Sequence, residues 1–574
     1  MKKIFIFLPF VLALFLTGSC SQDNLEIPQK GVISLDNYYK TEADALAAVT
    51  TVYNNMARMM AQGLVGGHTF NYPPYTVLFN NFSDDMFAAG EIRGDNDFAA
   101  EINEFRYNEN NATIAFLYRS LYACIYSANL LTTYLKPDDP NANIKRYVAE
   151  ARVWRAWCHM ILAIGWRNAP LVTELLTSDS YPANSTFDDL MNFCIKEFGE
   201  AAANLPSKPN LTDKNATVRL TKEAAYAFMG KAQVYAGKYA DAATNLKTNV
   251  IDKNLYALVP GDQMINLFHV AGNYSTEKVF EFNVMRNTSL TTTNNRAIMI
   301  WQLGNYWNWR SDHMASAGNI KEIFSPGWGG MMPRASFCEA LIANDGIDSY
   351  RRKAWFIRYD EVLYNLTWPS DATLTTIDQK RKDPLRGLTL PKNYFYGCEG
   401  YLVMKRIKFK ADECPDMAGI FLNNHVMMRY AEVLLLFAEA AQKSGQYTAE
   451  ALKALNDIQM RAHGGKGHVS TSLTLDEVKK EKRFEMWLEE VRGIDLVRWG
   501  DAATVLKDQG NYVPTLTDNF TNGDHGTWDD NTWTITNTNY NGSTYGFKAG
   551  KHEMFPIPAY ALQNNPNLKQ NPGW

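Results

Sequence analysis

The sequence predicts a mainly α-helical protein: a superhelical scaffold of tetratricopeptide-like helical hairpins, with long irregular loop excursions and little β-structure. Three observations predict this class. Apolar residues recur at helical spacing, small residues alternate with tyrosines in two segments, and stretches rich in Gly, Asn and Thr separate the helical blocks. With 574 residues, of which 46 % are hydrophobic, the chain can bury a large core and is expected to form more than one domain.

The first 19 residues have the form of a bacterial lipoprotein signal peptide. A basic start precedes an apolar run over residues 4–16, which is too short to span a bilayer, and small residues come directly before Cys20. We predict that Cys20 carries lipid and that residues 20–40 form a tether and N-terminal segment. A plain secretory signal is the alternative.

Helices follow over a predicted region of residues 41–255. Thr41 and Asp44 have the spacing of a helix cap. The segment from Thr221 to Leu246 combines small residues with tyrosines around a turn at Gly237, and it resembles a tetratricopeptide hairpin. Six cysteines besides Cys20 form no CxxC pair, so they predict no metal site. Those in helical patterns are expected to be buried free thiols: Cys124, Cys158 and Cys194.

A second helical block opens the C-terminal region, predicted at residues 425–574. A first helix is expected to end at Gly445 and a second to run from about Thr448 to Ala462. Thr474 and Glu477 are spaced as a capping box. The helix that they begin is expected to carry an apolar stripe of Phe484, Trp487, Leu488 and Val491.

Residues 256–424 differ from both blocks, because they are rich in loops and aromatic residues. The stretch WQLGNYWNWRSDH at 301–313 combines rings with Gln302, Asn305, Asn308, Arg310 and Asp312. Sugar rings stack their C–H faces on flat aromatic side chains and bond their hydroxyls to such polar groups, so this stretch predicts a sugar platform. The candidate ligand-binding residues, here and in other loops, are Trp301, Tyr306, Trp307, Trp309, Arg310, Trp328, Tyr72, Asp84, Tyr394 and Tyr396.

Five features stand in one order along the chain: the lipoprotein start, RYAEVLLLFAEAA, ALKALNDIQMRA, RFEMWLEEVRGIDLVRWG and the ending FPIPAYALQNNPNLKQNPGW. Together they resemble the SusD/RagB family of Bacteroidetes outer-membrane lipoproteins. The resemblance implies a non-enzymatic, surface-exposed, lipid-anchored protein of the outer membrane. It would bind glycan and act as a lid over a SusC-like TonB-dependent transporter. It also implies that the charges of these strings, such as Arg429, Arg483 and Arg492, form structural pairs.

Two other functions stay open at this point. A peptide-binding lid of the RagB type would have the same architecture, and a surface glycosidase would need paired carboxylates. Glu481, Glu485 and Glu489 recur every four residues on one helix, but the interleaved basic residues favour ion pairs over catalysis. No cofactor motif occurs, and a net charge of -4 gives no reason to expect a nucleic-acid partner.

Overall fold

The computed structural model describes the chain over residues 38–61, 63–65, 68–70, 72–90, 92–208, 218–284, 306, 308–310, 323–325, 327–361, 394–415, 421–518, 533–540 and 545–574. Within these ranges helices dominate and strands are short, which confirms the predicted fold class. Cys20, Trp301 and Trp307 lie outside the described residues.

Eight helices make up the N-terminal half of the described chain. They are α1 Glu42–Ala61, α2 Pro74–Asn81, α3 Asp97–Asn103, α4 Ala112–Tyr134, α5 Ala142–Trp166, α6 Phe187–Ala202, α7 Lys222–Tyr235 and α8 Tyr239–Asn249. The Thr41 hydroxyl accepts from the Asp44 backbone N–H at 3.2 Å, while the Asp44 carboxylate accepts from the Thr41 N–H at 2.9 Å. The predicted cap of α1 is therefore confirmed.

Nine helices follow in the described part of the C-terminal half. They are α9 Ala335–Asp345, α10 Tyr350–Trp355, α11 Tyr359–Glu361, α12 Tyr430–Ser444, α13 Thr448–His463, α14 Leu475–Glu485, α15 Arg492–Trp499, α16 Ala502–Val505 and α17 Ala559–Asn564. Gly445 ends α12 in the left-handed region at φ +75°, as predicted from the sequence.

The strands pair only into two- and three-stranded antiparallel sheets. They are β1 Gly63–Val65, β2 His68–Phe70, β3 Met86–Ala88, β4 Lys278–Phe282, β5 Met331–Pro333, β6 Phe356–Arg358, β7 Tyr394–Tyr396, β8 Tyr401–Val403, β9 His425–Arg429, β10 Tyr512–Asp518 and β11 Trp533–Asn539. The pairs are β1 with β2, β3 with β5, β4 with β9 and β6 with β8, while β10 lies between β11 and β7. Most of these sheets join one irregular segment to another, and β4 with β9 joins such a segment to the start of α12.

The tetratricopeptide-like hairpins pack through their small residues. Helices α7 and α8 form one hairpin around Gly237, at φ +72°, and α12 and α13 form another. Gly230 of α7 lies so close to Leu246 of α8 that a Cβ at this position would overlap its side chain. Helix α12 packs against α7 and α8, so the C-terminal hairpin continues the N-terminal stack. The region boundaries at 255 and 424 stay predictions.

Two hydrophobic cores lie side by side in the described structure. The larger core joins α1, α4–α8, α12 and α13, with Trp154 and Trp166 fully buried. The smaller core forms under the excursions around Trp309, Trp355 and Trp487. All six cysteines in the described ranges are buried free thiols, which confirms the expectation for those of α4, α5 and α6.

The predicted third helix of the C-terminal block is interrupted. Helix α14 ends at Glu485, and the chain passes through Leu488 at φ +59° and Glu490 at φ +60° before α15 begins. The Glu485 carbonyl accepts instead from Arg429 at 2.8 Å and from the Lys405 ammonium at 3.0 Å. Hydrogen-bond donors from other segments of the chain therefore take the place of the backbone N–H groups that a further turn of helix would supply.

The predicted capping box at the start of α14 is half formed. The Thr474 hydroxyl accepts from the Glu477 N–H at 3.2 Å, but the Glu477 carboxylate accepts from the Ser470 hydroxyl at 2.8 Å. A complete box occurs at the start of α6, where Thr186 and Asp189 bond reciprocally, as Thr41 and Asp44 do at α1.

A buried ionic layer connects the chain just before β4 with β9, α9, α10, α13, α14 and the segment after α14. We define it by Glu277, Asp345, Arg351, Arg429, Arg461, Glu481, Glu485 and Glu489. Arg429 donates to Glu277 at 2.8 Å, to Glu485 at 2.6 Å and to Glu489 at 2.7 Å. Neither Arg429 nor Glu485 has exposed surface. The charges of the RFEMWLEE string are thus structural pairs, as predicted.

Candidate functional site

Tyr306 and Trp309 do not form the predicted sugar platform, because both rings lie inside the smaller core. Tyr306 has no exposed surface, and its hydroxyl accepts from the Asn81 side chain at 3.2 Å. The Trp309 indole N–H donates to the Val403 carbonyl at 3.1 Å. Asn308 is buried as well, and its amide donates to the Ser325 carbonyl at 2.6 Å. The polar groups of Tyr306, Asn308 and Trp309 are bonded inward, so a buried role replaces the predicted one for these three residues.

A second aromatic pair lies directly above Tyr306 and is partly exposed. The rings of Tyr72 and Trp328 meet edge to face, with centroids 5.6 Å apart and planes at 69°. Tyr72 also packs on Phe98 at 4.3 Å and on Tyr306 at 5.7 Å. The buried ring therefore supports the exposed pair from below.

Glycines hold Trp328 in this position. Gly327 and Gly330, which flank Trp328, pass so close to buried neighbours that a side chain does not fit at either position. A Cβ on Gly327 would overlap the Asn308 carbonyl, and a Cβ on Gly330 would overlap the Tyr306 ring. Gly329 has φ +65°, which favours glycine for a different reason. The backbone on both sides of Trp328 is therefore closely packed, which fixes the position of this residue.

The β3/β5 sheet brings polar side chains to the same edge. Ala88 pairs with Met331, and the Ala89 N–H donates to the Gly330 carbonyl at 3.0 Å. The chain after β3 and the chain before β5 therefore lie together, which places exposed Asp95 and half-buried Arg310 near the aromatic pair. We call Tyr72, Asp95, Arg310, Trp328 and Tyr396 the aromatic rim.

The Tyr72 hydroxyl remains a hydrogen-bond donor at neutral pH. Burial of the ring raises the pKa of Tyr72 above its ordinary value, and the negative charge of Asp95 raises this pKa further. A protonated phenol beside a carboxylate offers one donor and one acceptor group, which suits the hydroxyls of a sugar.

Tyr396 completes the rim from a third segment. It ends β7, and a bridge pairs it with Gly90, next to the Asp95 loop. Burial and the nearby Tyr540 raise the pKa of Tyr396. The Arg93 guanidinium lies 3.3 Å from the centre of the Tyr540 ring. Only the backbone of Tyr394 is described, and it pairs with Thr517.

Asp84 is not a ligand-binding group, which corrects the prediction. Its side chain is buried, and its carboxylate accepts from Arg492 at 2.7 Å and from Arg483 at 3.4 Å. Burial by itself raises the pKa of Asp84, but the two guanidinium groups together lower it below its ordinary value. Adjacent Asp85 pairs with Arg483 at 2.6 Å. The two carboxylates therefore link the segment between α2 and β3 to α14 and α15.

The three carboxylates that are spaced as in a glycosidase are also engaged in ion pairs. Glu481, Glu485 and Glu489 all belong to the buried ionic layer, where no substrate can reach them. Burial acts to raise the pKa of Glu485, but Arg461 and Arg429 lower it far below its ordinary value. A general acid needs access to substrate, and none of the three buried carboxylates has it, although burial raises the pKa of Glu481. No group of three or more metal-ligating side chains occurs in the described ranges either.

Two protein-family models match the sequence. Residues 276–574, which are more than half of the chain, match the model of the SusD family. The chain belongs to the SusD family. Residues 35–235 match a second model, described as starch-binding associating with outer membrane. None of the helices in the described ranges is long and apolar enough to cross a bilayer.

Two relatives of the SusD family match most of the sequence. SusD-like protein P25 of Formosa agariphila is 21 % identical over 525 residues, covering 88 % of this chain and 92 % of that protein. SusD-like protein P2 of the same organism is 22 % identical, covering 87 % and 91 %.

Solved structures share the fold over nearly the whole length. A laminarin binding SusD-like protein aligns with a TM-score of 0.70 and 23 % identity, covering 93 % of this chain and 100 % of that one. Surface glycan-binding protein A from Bacteroides thetaiotaomicron, solved in complex with laminarihexaose, aligns with a TM-score of 0.69 and 20 % identity over 93 % and 100 %. These similarities establish the SusD architecture.

Sequence reasoning identified four of the five rim residues but not their grouping. Asp95 was missed, because an Asp-Asn-Asp string reads as an ordinary turn. Gly90 and Gly94, which both precede Asp95, were a usable signal of a tight loop, and both adopt positive φ, at +154° and +101°. Tyr540, which lies beside Arg93 and Tyr396, was missed because it follows a polar strand.

Proposed function

We propose that this SusD-family chain is a non-catalytic glycan-binding lipoprotein of the cell surface. In this proposal the aromatic rim captures oligosaccharide, and the protein delivers it to a SusC-like TonB-dependent transporter in the outer membrane. Cys20 carries the lipid that anchors it there. The observation that carries the proposal is the Tyr72–Trp328 pair, two partly exposed rings on a rigid base.

The rim suits a neutral sugar for a physical reason. Two rings at 69° present a concave apolar surface, and Asp95 and Arg310 supply an acceptor and donors at its edge. Because the supporting groups are buried and bonded, little conformational entropy is lost when a ligand binds. The names of the structural relatives make laminarin and its oligosaccharides the first ligands to test.

The decisive experiment is calorimetric titration of residues 21–574 with laminarin, starch, xylan and mannan. At least one glycan is expected to bind the intact chain, and the Tyr72→Ala/Trp328→Ala double variant is expected to lose that binding. Tyr181→Ala/Tyr274→Ala is the matched control, because it removes two rings that are 43 % and 54 % exposed elsewhere. Equal loss in both variants would contradict the rim as the site.

The same titration separates the rival functions. Binding of peptides but of no glycan would favour the peptide-binding lid. Release of reducing sugar by the purified chain over hours would favour a glycosidase. Neither outcome is expected. Sugar release in particular is not expected, because the carboxylates spaced as in a glycosidase are buried in ion pairs.

The anchor and the partner need separate tests. Labelled palmitate is expected to enter the intact chain but not Cys20→Ala, and the variant should leave the membrane fraction. A tagged intact chain, solubilised in mild detergent, is expected to co-purify a TonB-dependent barrel protein. Recovery of the chain without such a barrel would contradict the transporter assignment while leaving glycan binding intact.

A further inference from the structure

A groove of about 670 Å³ lies on the C-terminal hairpin, separate from the aromatic rim. It runs between α12, α13, the end of α8 and the segment 251–261. Its volume falls within the range of about 300–1,000 Å³ that ligand pockets occupy. We call it the hairpin groove, and it shares no residue with the rim.

The floor of the hairpin groove is aromatic and aliphatic. Tyr430, at the start of α12, is partly exposed and stacks on Tyr256, with centroids 6.1 Å apart and planes at 27°. Leu258 is half-buried beside them, and Met460 of α13 is 46 % exposed. Exposed clusters of apolar side chains often mark binding sites. The floor of the groove therefore offers a ligand a surface on which to stack.

The edges of the groove carry charges that already compensate one another. Lys247 pairs with Asp252 at 2.9 Å, and Lys453 pairs with Asp457 at 2.6 Å. Glu450 and Arg461 also line the groove, which brings it to three carboxylates and three cations. An anionic ligand would therefore meet no excess of positive charge, whereas a hydroxyl can use the spare donors and lone pairs of these ion pairs.

The Tyr430 hydroxyl adds a donor at the same edge. Burial raises the pKa of Tyr430 to about 12, and the nearby carboxylates of Asp457 and Asp252 contribute to this rise. The phenol therefore stays protonated and can donate to a ligand oxygen.

We propose that the hairpin groove is a second glycan-binding site, specific for a short neutral saccharide that stacks on Tyr430. Uncharged hydroxyls meet the compensated edges, and the C–H faces of the sugar meet Tyr430, Leu258 and Met460. A glycan chain held at the rim and in the groove would gain avidity from the second contact. The inference goes beyond the function proposed for the rim and can fail independently of it.

The test uses the methyl group of Met460 as a local probe. Residues 21–574 carrying Tyr72→Ala and Trp328→Ala are labelled with [methyl-¹³C]methionine, and the Met460→Leu variant assigns its resonance. Laminarihexaose, maltohexaose, xylohexaose, mannohexaose and an anionic oligogalacturonate are titrated in turn. At least one neutral hexaose is expected to shift the Met460 signal to saturation, whereas the oligogalacturonate is not.

Two variants decide whether the groove is the cause. Tyr430→Ala is expected to weaken the titration at least ~tenfold, the size of effect that loss of one stacked ring produces. Leu258→Asp should do the same without touching the Tyr256 stack. Val505→Asp, at a 39 % exposed position outside the groove, is the matched control. Melting temperatures identify any variant that is unfolded.

The outcomes separate this proposal from the rim proposal. A Met460 signal that no neutral hexaose moves, in a chain whose wild type binds glycan, overturns the groove and leaves the rim. A signal that saturates when the wild type and its rim variant bind equally well supports the groove and overturns the rim. Movement with an apolar peptide alone would also overturn the proposal, since the groove would then recognise a different class of ligand.

Discussion

The buried ionic layer and the aromatic rim differ in whether their side chains reach the solvent. In the ionic layer Arg429, Glu485 and their neighbours have no exposed surface, and each charge meets its counterpart within the protein. In the rim Tyr72 and Trp328 keep part of their rings exposed above a bonded base. A dense charged motif therefore marks structure here, whereas partly exposed rings on close-packed glycines mark the proposed site.

The largest effect is expected in the ionic layer. Arg429→Ala would leave Glu277, Glu485 and Glu489 buried without their shared cation. Removing one partner of a buried ion pair costs about 3–5 kcal/mol, so the free energy of unfolding should fall by that amount. Denaturation in urea, followed by circular dichroism, measures it.

An exposed ion pair is the control for that variant. Lys453 and Asp457 lie 2.6 Å apart, but their side chains are 74 % and 47 % exposed. Lys453→Ala should therefore change the free energy of unfolding by less than about 1 kcal/mol. Equal losses in the two variants would mean that burial does not distinguish the ionic layer from surface pairs.

Acid is expected to weaken the scaffold before it affects the rim. Burial lowers the pKa of His159 to about 4. The neutral ring is bonded at both nitrogens: Nδ1–H donates to the Arg155 carbonyl at 2.9 Å, and Nε2 accepts from the Val172 N–H at 3.1 Å. The unfolded chain takes up this proton below pH 6.5 and the folded chain does not. Stability from His159 is thus complete above pH 6.5 and is lost toward pH 4, by up to about 1.4 kcal/mol per pH unit.

His159→Gln tests that assignment, because glutamine bonds similarly but does not titrate. Unfolding free energies of the variant between pH 7 and pH 5 should fall less steeply than those of the wild type. The carboxylates of the ionic layer do not explain a fall in this range, since the pKa of Glu489 is lowered to about 2. Parallel slopes for the two proteins would refute the role of His159.

At the rim, Trp328→Ala should change binding rather than stability. Loss of the exposed ring is expected to weaken glycan binding about 10- to 100-fold, which corresponds to about 1.4–2.8 kcal/mol. The melting temperature should stay close to that of the wild type, because the ring is only partly buried. Titration calorimetry also tests the pH profile: affinity should be constant from pH 6 to pH 9, since the raised pKa of Tyr72 keeps its phenol protonated.

The smallest effect is expected at the glycine support of the rim. Gly330→Ala would push a Cβ into the buried Tyr306 ring, so we expect roughly 1–2 kcal/mol of destabilisation and weaker glycan binding through a displaced Trp328. Gly199→Ala is the matched control, because it lies in helix α6 next to the flexible Met229 side chain. That change should be neutral or stabilising, since alanine favours a helix. The same sign in both variants would contradict the steric argument.

Local patterns in the sequence are sufficient to predict the helical scaffold. Caps such as Thr41 with Asp44, stops such as Gly445 and the small residues of α7 and α8 act within a few residues of the chain or across one hairpin. Such local interactions leave a periodic pattern that can be read before folding. The sequence also allowed us to predict the family resemblance and the structural role of the RFEMWLEE charges.

Which rings face the solvent depends instead on contacts between distant segments of the chain. Tyr306 and Trp328 both belong to aromatic, loop-rich sequence, yet Tyr306 is buried and Trp328 is partly exposed, and Gly330 allows the chain to pass across the Tyr306 ring. The end of α14 at Glu485 likewise depends on Arg429 and Lys405, which arrive from other segments. Burial and hydrogen bonding between residues far apart in the chain set these outcomes, and no local pattern encodes them.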